Sequence, residues 1–408
     1  MLLHQAADRS EASIVVAIAI LWGAVVVGLR RHLEAGSEWW LLGAALLVRL
    51  SFVGTPPLLS DDLYRYVFEG KALWAGHNPL TQAPQTLPGI DDELLALVNH
   101  PEVSTVYPPV ALLWFRLLAL FGTAWGVQLA TALFDTLTVW GVRSATRHHW
   151  PAWIYALHPL VILEGAHAGH LDLVAVGFAV WGVAAFRHGR FAWAGTALVA
   201  GGGVKLLPFA FVLRPVLALR RRWIVILGWL LAGLAISGVY LEAGIDGLTG
   251  LRTYAREWSF NPLAFALVEP WLEEWTRPVL VAIGALVSLR ALRHEDPART
   301  WLEIGLAFVV LSPTVHPWYL LWAMVPGLLL EDPRGAAATL GYLPAYTILL
   351  SFDPATGQWT EAAWLPFLTW VPMLAIYLFT PAESTPRQSH SPPQTAAGTA
   401  ATGSPLPK

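Results

Sequence analysis

The chain has 408 residues, of which 56% are hydrophobic and 13% charged, and its mean hydropathy is +0.53. Soluble domains carry about 25% charged residues, so this composition leaves too little polar surface for a water-soluble fold and predicts a membrane protein. The net charge of -3 gives no basis for nucleic-acid binding, and the absence of cysteine excludes disulfides, thiolate metal sites and cysteine nucleophiles.

Apolar runs of spanning or near-spanning length recur along the chain. The first lacks a basic leading region and a cleavage site, so we expect a retained span rather than a signal peptide. Short runs around 191–219 predict tilted, merged or re-entrant segments, and 109–121 fits a span or an interfacial helix. The fold class predicted is an all-α polytopic membrane protein with about 11–13 transmembrane helices. The expected spans are 13–29, 39–54, 124–142, 151–164, 171–186, 191–204, 205–219, 223–241, 278–291, 300–313, 317–330, 336–351 and 362–380.

Arginines in the short loops predict the orientation, because basic residues in such loops stay on the cytoplasmic side. With these spans, the arginine clusters at 30–31, 143–147, 187–190, 220–222, 290–299 and 334 all fall on one side. The opposite side receives the loops 55–108, 164–172, 242–262, 312–317 and 352–361. This arrangement places the N-terminus outside and the C-terminus inside. We expect one domain, 1–380, followed by a disordered cytoplasmic tail, 381–408, rich in Pro, Ser, Thr, Ala and Gly.

The long first outer loop contains two adjacent carboxylates, Asp61 and Asp62. Like charges at short range raise the pKa of one member of a pair, which suits a general base. The paired oxygens could also bind a divalent cation such as Mg²⁺ or Mn²⁺, although no cofactor is required. The alternative is a helix cap, since Asp is a favourable residue before a helix start.

A helix over 62–75 would place Arg65 on one face with Asp62 and Glu69. On that face Arg65 could form a local salt bridge or could bind a phosphate group. Both interpretations remain open from the sequence.

Polar residues in another outer loop and in an apolar stretch are further candidates. His167, His170 and Asp172 lie within one turn, where substrate hydrogen bonding is favoured over metal binding. Lys205 follows three glycines in an apolar stretch, and an ionisable residue there is a functional candidate unless it extends to the membrane interface.

Two later segments combine basic and aromatic residues. Arg252 and Arg256 suit phosphate and Trp258 suits a sugar face, although an interfacial anchoring helix explains the same residues. His316 could donate to an anion and Trp318 follows it, although a helix start with Pro in its first turn is the alternative.

Several of these motifs together resemble a known family. Ser60-Asp-Asp-Leu-Tyr-Arg-Tyr66, Gly76-x-Asn-Pro79 and Tyr107-Pro-Pro109 resemble the first outer loop of bacterial GT-C glycosyltransferases. The most similar are mannosyltransferase-like families that use a polyprenyl-phosphate sugar, distantly similar to the mannosyltransferase of GPI-anchor assembly. Gly169-His-x-Asp172, Lys205-Leu-Leu-Pro208 and His316-Pro-Trp-Tyr-Leu-x-Trp322 match in the same order, so the resemblance covers about 55–325.

The resemblance implies transfer of a hexose, expected to be mannose, from an undecaprenyl- or dolichyl-phosphate carrier to a lipid or glycan acceptor. It places the enzyme in the bacterial cytoplasmic (inner) membrane with its site on the non-cytoplasmic face. Asp61 or Asp62 would be the base of an inverting displacement. The expected substrate-binding residues are Arg65, Tyr107, His170, Asp172, Lys205, Arg252, Arg256, Trp258, His316 and Trp318.

The sequence departs from the family at two places. Phe68-Glu69-Gly70 stands where Trp-Asp-Gly is frequent, and His158-Pro159 stands where Asn-Pro is frequent. Three other functions compete with the glycosyltransferase. A secondary transporter would place ionisable residues at the midplane and show an inverted repeat, and neither is evident. A non-enzymatic lipid-binding subunit would tolerate neutral residues at 61 and 62, and a lipid-linked polymer ligase or polymerase would use related chemistry.

Overall fold

The computed structural model describes residues 4–33, 38–57, 59–219, 222–236, 238–353 and 358–381. The N-terminal third contains α1 (His4–Gly28), α2 (Glu38–Leu50), α3 (Asp62–Trp74), α4 (Asp92–Leu95), α5 (Pro109–Leu118) and α6 (Ala124–Ala145). The middle contains α7 (Trp150–Leu157), α8 (Pro159–Ile162), α9 (Leu171–Arg187), α10 (Phe191–Val204), α11 (Leu213–Ala218), α12 (Arg222–Ile236), α13 (Gly238–Ala243) and α14 (Thr249–Glu257). The remainder contains α15 (Ala264–Leu272), α16 (Thr276–Ala291), α17 (Pro297–Leu311), α18 (Leu321–Leu329), α19 (Arg334–Tyr342) and α20 (Leu365–Phe379).

The prediction of an all-α fold is confirmed. In the described ranges the strands are limited to the two-residue antiparallel pair β1 (Phe352–Asp353) and β2 (Gln358–Trp359). Helices lie in each segment expected to be a span, and 109–121 forms α5. The predicted disordered tail lies outside the described residues from 382 onward.

The apolar segments are repeatedly broken. Within the described ranges, no helix by itself combines the length and apolar composition that crossing a membrane requires. One pair of helical segments meets both conditions together: Pro159–His167 and Leu171–Arg187, which are bent by 116°.

Helix α9 lies at the centre of the packing, between α6 and α10. Most of its residues are buried, as expected for a helix that is apolar on nearly every side. Its close approach to α6 depends on Gly177, where an added Cβ would lie 2.5 Å from both Phe134 Cε1 and Thr138 Oγ1.

The break between α8 and α9 positions polar groups inside the bundle. A π-helical turn, Leu163–His167, ends α8, and Gly169 then adopts a φ of +72°, which glycine accepts without steric cost. Such π turns occur frequently at functional sites. The chain thereby reverses and brings His170 and Asp172 to the start of α9, where both are buried.

The arginine-containing loops contact one another at one end of the bundle. Arg187, after α9, donates to the backbone oxygens of Ala145 and Leu329 and to the carboxylate of Asp296. Ala145 and Leu329 are the last residues of α6 and α18, and Asp296 precedes α17, so all three partners lie at or next to loops that the arginine pattern assigned to the same side.

A buried ion pair joins α2, α6 and α7. The side chain of Arg49 is inaccessible to solvent, and its Nε lies 2.6 Å from Asp135 Oδ2. The guanidinium also donates to Ala156 O at 2.9 Å, and the Tyr155 hydroxyl donates to the other oxygen of Asp135.

We expect Arg49→Met to lower the free energy of unfolding by about 3–5 kcal/mol, because it leaves the Asp135 carboxylate buried without its partner. Replacing both residues with apolar side chains should cost less than the single change. Denaturant unfolding in detergent micelles measures both. Arg290→Met is the control, because the Arg290–Glu303 pair is 3.5 Å long and its arginine is 70% exposed. Equal stability of Arg49→Met and the control would contradict the prediction.

Candidate active site

A cavity of about 990 Å³ opens among the loops that the arginine pattern placed on the other side. All five predicted outer loops contribute to its wall. The lining contains nine of the predicted site residues: Asp61, Asp62, Arg65, Tyr107, Asp172, Lys205, Trp258, His316 and Trp318. These residues come from segments far apart in the chain, so the fold gathers them at one place.

The two adjacent carboxylates are held side by side by one amide. Helix α3 begins at Asp62, but the side chain of Asp61 makes no capping hydrogen bond. Instead, Asn99 Nδ2 donates to Asp61 Oδ1 at 2.9 Å and to Asp62 Oδ1 at 2.5 Å. The capping interpretation is therefore wrong for the Asp61 side chain, and Asn99 was not among the predicted site residues.

The pKa values of the two carboxyls diverge. Burial, and then the neighbouring charge of Asp62, raise the pKa of Asp61 to about 6, although the Asn99 hydrogen bond partly opposes them. Burial alone would also raise the pKa of Asp62, but His170, Asn99 and Lys205 together lower it. Asp62 is therefore the permanent anion, and Asp61 can exchange a proton near neutral pH.

His170 connects this pair to a buried glutamate. Its Nδ1 lies 2.7 Å from Glu164 Oε2, and its Nε2 lies 3.6 Å from Asp62 Oδ2. Burial opposes the charged imidazolium, but Glu164, Asp62 and Asp172 raise the pKa of His170 above its usual value. Glu164 was not among the predicted site residues, although a glutamate within an apolar segment is itself a signal of function.

Lys205 extends into the same cavity from the end of α10. Its Nζ lies 3.1 Å from Asp172 Oδ2 and over the rings of Tyr107 and Tyr319, at 5.3 and 5.9 Å from their centroids. Trp322 Nε1 donates to the other oxygen of Asp172 at 2.9 Å. The ammonium is thus fixed by a buried anion while about a quarter of the lysine side chain stays accessible (24%).

Arg65 supports the loop that carries Asn99. Its Nε donates to Glu69 Oε1 at 2.7 Å, and its terminal nitrogens donate to the backbone oxygens of Asn99, His100 and Val103. The structure therefore shows the local salt bridge, one of the two alternatives that the sequence left open. Because the guanidinium is engaged on both sides, Arg65 positions the loop in this structure.

Stacked rings form one wall of the cavity. Trp318 stacks on His170, with centroids 3.9 Å apart, and on His316, with centroids 4.4 Å apart. His316 also stacks on Phe260. Burial lowers the pKa of His316 to about 3, so at neutral pH it offers a neutral N–H rather than a positive charge. The π surface of Trp318 is already engaged by imidazoles, whereas Trp258 makes an edge contact with His100.

Arg252 and Arg256 do not line the cavity; both are exposed on α14. The residues around α14 that do line it are Leu251, Tyr254 and Trp258, spaced at three and seven residues along one helical face. The Tyr254 hydroxyl lies 2.6 Å from the Tyr319 hydroxyl, and this pair was not predicted from the sequence.

The sequence also suggested a site for Mg²⁺ or Mn²⁺. In the described part of the chain, no group of three His, Asp or Glu residues is arranged so that it could hold such an ion.

Comparison with known proteins gives the family. A family model described as "MptA_B family: Alpha-(1->6)-mannopyranosyltransferase, N-terminal domain" matches residues 2–222, more than half of the chain. The chain belongs to the MptA_B family. The resemblance to GT-C mannosyltransferases in the sequence is thereby confirmed.

Two relatives are similar over much of this MptA_B member. Alpha-(1->6)-mannopyranosyltransferase A of Mycobacterium tuberculosis is 25% identical over 428 residues, covering 90% of this chain and 81% of that protein. Alpha-(1->6)-mannopyranosyltransferase B of Corynebacterium glutamicum is 24% identical over 335 residues, covering 67% of this chain and 56% of that protein. These relatives support a mannosyltransferase assignment for this member of the MptA_B family.

The MptA_B match contains most of the charged residues in the cavity wall and directly behind it. The carboxylate pair, Glu164, His170 and Lys205 all lie within residues 2–222. The aromatic wall at 316–319 and the Tyr254 face of α14 come from the part of the chain beyond that match.

Proposed function

We propose that this protein is a multi-pass membrane mannosyltransferase that transfers mannose from a polyprenyl-phosphate carrier to a hydroxyl of a lipid or glycan acceptor. The observation that carries the proposal is the cavity that the Asp61–Asp62 pair lines together with Lys205 and His316. A proton acceptor and an anion-binding group are the two functions that this reaction requires.

The bond changes assign a role to each group. Asp61 accepts the proton of the acceptor hydroxyl while the hydroxyl oxygen attacks the anomeric carbon of the sugar. The bond from that carbon to the phosphate oxygen breaks, and its electron pair leaves with the lipid phosphate, so configuration at the carbon inverts. The leaving phosphate gains negative charge, which the ammonium of Lys205 and the neutral N–H of His316 stabilise.

The remainder of the cavity suits a lipid carrier. Beyond Lys205 the lining becomes apolar, with Leu206, Leu207, Phe308 and Leu349. A charged end joined to an apolar groove matches a phosphate attached to a polyprenyl chain.

The exterior of the bundle supports a membrane location in the bacterial cytoplasmic membrane. Large apolar side chains are exposed on several helices, including Leu47, Trp193, Leu230, Val281 and Phe379. Apolar exterior surface of this extent suits lipid rather than water. Short loops rich in arginine stay on the cytoplasmic side of a membrane. The cavity lies among the opposite set of loops and therefore faces the non-cytoplasmic side.

A reconstituted transfer assay tests the proposal. Proteoliposomes containing the protein are supplied with radiolabelled polyprenyl-phosphate mannose, with the glucose-bearing carrier, or with a nucleotide-activated mannose alone. We expect label to reach the acceptor only from the mannose carrier. Equal transfer from nucleotide-activated mannose would overturn the carrier assignment, and equal transfer from the glucose carrier would overturn the sugar assignment.

Single cysteines test the sidedness, because the chain contains none of its own. Gln85→Cys lies in the first outer loop, and Arg190→Cys lies in an arginine loop; both positions are exposed. A membrane-impermeant maleimide added to intact cells should label position 85 alone. Labelling of position 190 alone would reverse the orientation.

A further inference from the structure

Glu164 lies behind the cavity wall rather than in it. Its side chain is completely buried in the π-helical turn, and it is not part of the cavity lining. Burial of a carboxylate is costly unless the group is paired. Its ion-pair partner is His170, whose Nδ1 lies 2.7 Å from Glu164 Oε2, and this contact offsets the cost of burying the carboxylate. His170 in turn lies beside Asp62 of the cavity.

Three contacts fix the orientation of His170. Glu164 binds its Nδ1, and the backbone nitrogen of His170 donates to Glu164 O at 2.9 Å. Trp318 stacks on the ring face. Nδ1 lies on the side of the ring next to Glu164, and Nε2 lies on the side next to Asp62, 3.6 Å from its Oδ2. Glu164, His170 and Asp62 therefore form a line from the protein interior to the cavity.

We propose that Glu164 is a positioning residue: it holds His170 as an imidazolium directed at Asp62, which keeps Asp62 anionic and leaves Asp61 as the proton acceptor. This inference rests on the proposed function for its catalytic consequence. The relay itself, which consists of Glu164, His170 and Asp62, is a property of the folded protein. A carboxylate that orients an imidazole and stabilises its protonated form is a common arrangement in catalysis.

The charged and titratable groups around the relay determine the sign of the effect. His170 is faced by Glu164, Asp62, Asp172, His167 and His316. The two carboxylates are faced by His170, Lys205, Asn99, His100, His316, Tyr64, Tyr66 and Tyr107. In Glu164→Gln the amide preserves the shape of the side chain but removes the anion that stabilises the imidazolium. A neutral His170 would no longer stabilise the Asp62 anion, so the pair would reach its doubly ionised form only at higher pH.

Histidine NMR tests the relay without any substrate. Protein labelled with ¹⁵N-histidine is titrated in detergent micelles, and the His170 signal is assigned by its loss in His170→Gln. We expect the imidazolium of His170 to persist to higher pH in the wild type than in Glu164→Gln, by about one pH unit or more. An identical His170 titration in both proteins would overturn the proposal.

Glu303→Gln is the matched control, because Glu303 also lies 2.7 Å from a histidine nitrogen, that of His294, away from the cavity. It should change the His294 signal and leave the His170 signal unchanged. Thermal unfolding of each variant shows whether the fold is retained.

The transfer assay gives the second readout. Wild-type kcat/KM should rise with pH around the pKa of Asp61, about 6, as the pair becomes doubly ionised, and Glu164→Gln should move this acid limb up by about one pH unit because a neutral His170 no longer stabilises that form. At pH 6 the variant would lose about fivefold in kcat/KM. An unchanged acid limb in an active variant would overturn the relay. If the wild type transferred no mannose, the proposed function would fail, and the NMR titration would still decide the relay.

Discussion

Asp61→Asn is expected to lower kcat for mannose transfer by about 10²–10⁴-fold, the contribution typical of a general base. The amide can still accept the hydrogen bond from Asn99, so the loop geometry should persist while proton acceptance is lost. The measurement is the initial rate of transfer in proteoliposomes at equal protein content. The acid limb near pH 6 should also disappear from whatever activity remains.

Asp62→Asn should behave differently, because the charge of Asp62 raises the pKa of Asp61. Its loss should lower the pKa of Asp61 and move the acid limb to lower pH, with a smaller loss of rate than in Asp61→Asn. Asp92→Asn is the control, since Asp91 and Asp92 form another adjacent pair in the same loop at the start of α4, outside the cavity. Full activity in Asp61→Asn would exclude it as the base, and a deeper loss in Asp62→Asn would exchange the two roles.

The sequence predicted the helical segments and the grouping of loops well, because both depend on local signals. Apolar runs define helices wherever they are long enough, and short arginine loops alternate with the others. The ends of the segments were less predictable. Proline divides some of the predicted spans, as at Pro159 between α7 and α8 and at Pro208 within 205–219, so the helices there are shorter than the predicted segments, whereas α1 and α6 are longer.

Within the site, the sequence identified the residues whose charge is unusual for their surroundings. It did not identify residues whose role depends on contacts made only in the folded chain. The Asp61–Asp62 pair and Lys205 stand out by charge alone. Asn99 does not, because an amide in a loop carries no periodicity, and its function depends on the loop folding back onto α3. Arg252 was predicted to be a site residue because its segment combines arginine with aromatic residues. In the structure, the face of α14 that lines the cavity carries Tyr254 and not Arg252.

Lys205→Met is expected to lower kcat for transfer by about 10²–10³-fold, because the charge that develops on the leaving phosphate would lose its ammonium partner. The KM for the lipid carrier should rise as well, since the carrier phosphate is already anionic when it binds. Lys205→Arg keeps the charge and should retain part of the activity. Lys71→Met is the control, because Lys71 pairs with Asp91 outside the cavity.

The single variant has a second effect that must be separated from catalysis. Asp172 is 2% exposed at its side chain, and removal of Lys205 leaves its carboxylate buried with one hydrogen bond, from Trp322. Lys205→Met should therefore lower thermal stability as well as activity. Adding Asp172→Asn removes the buried charge and keeps an oxygen to accept from Trp322, so the double variant should recover stability without recovering transfer. Recovery of transfer together with stability would show that Lys205 serves only to neutralise Asp172, and the phosphate would then require another partner.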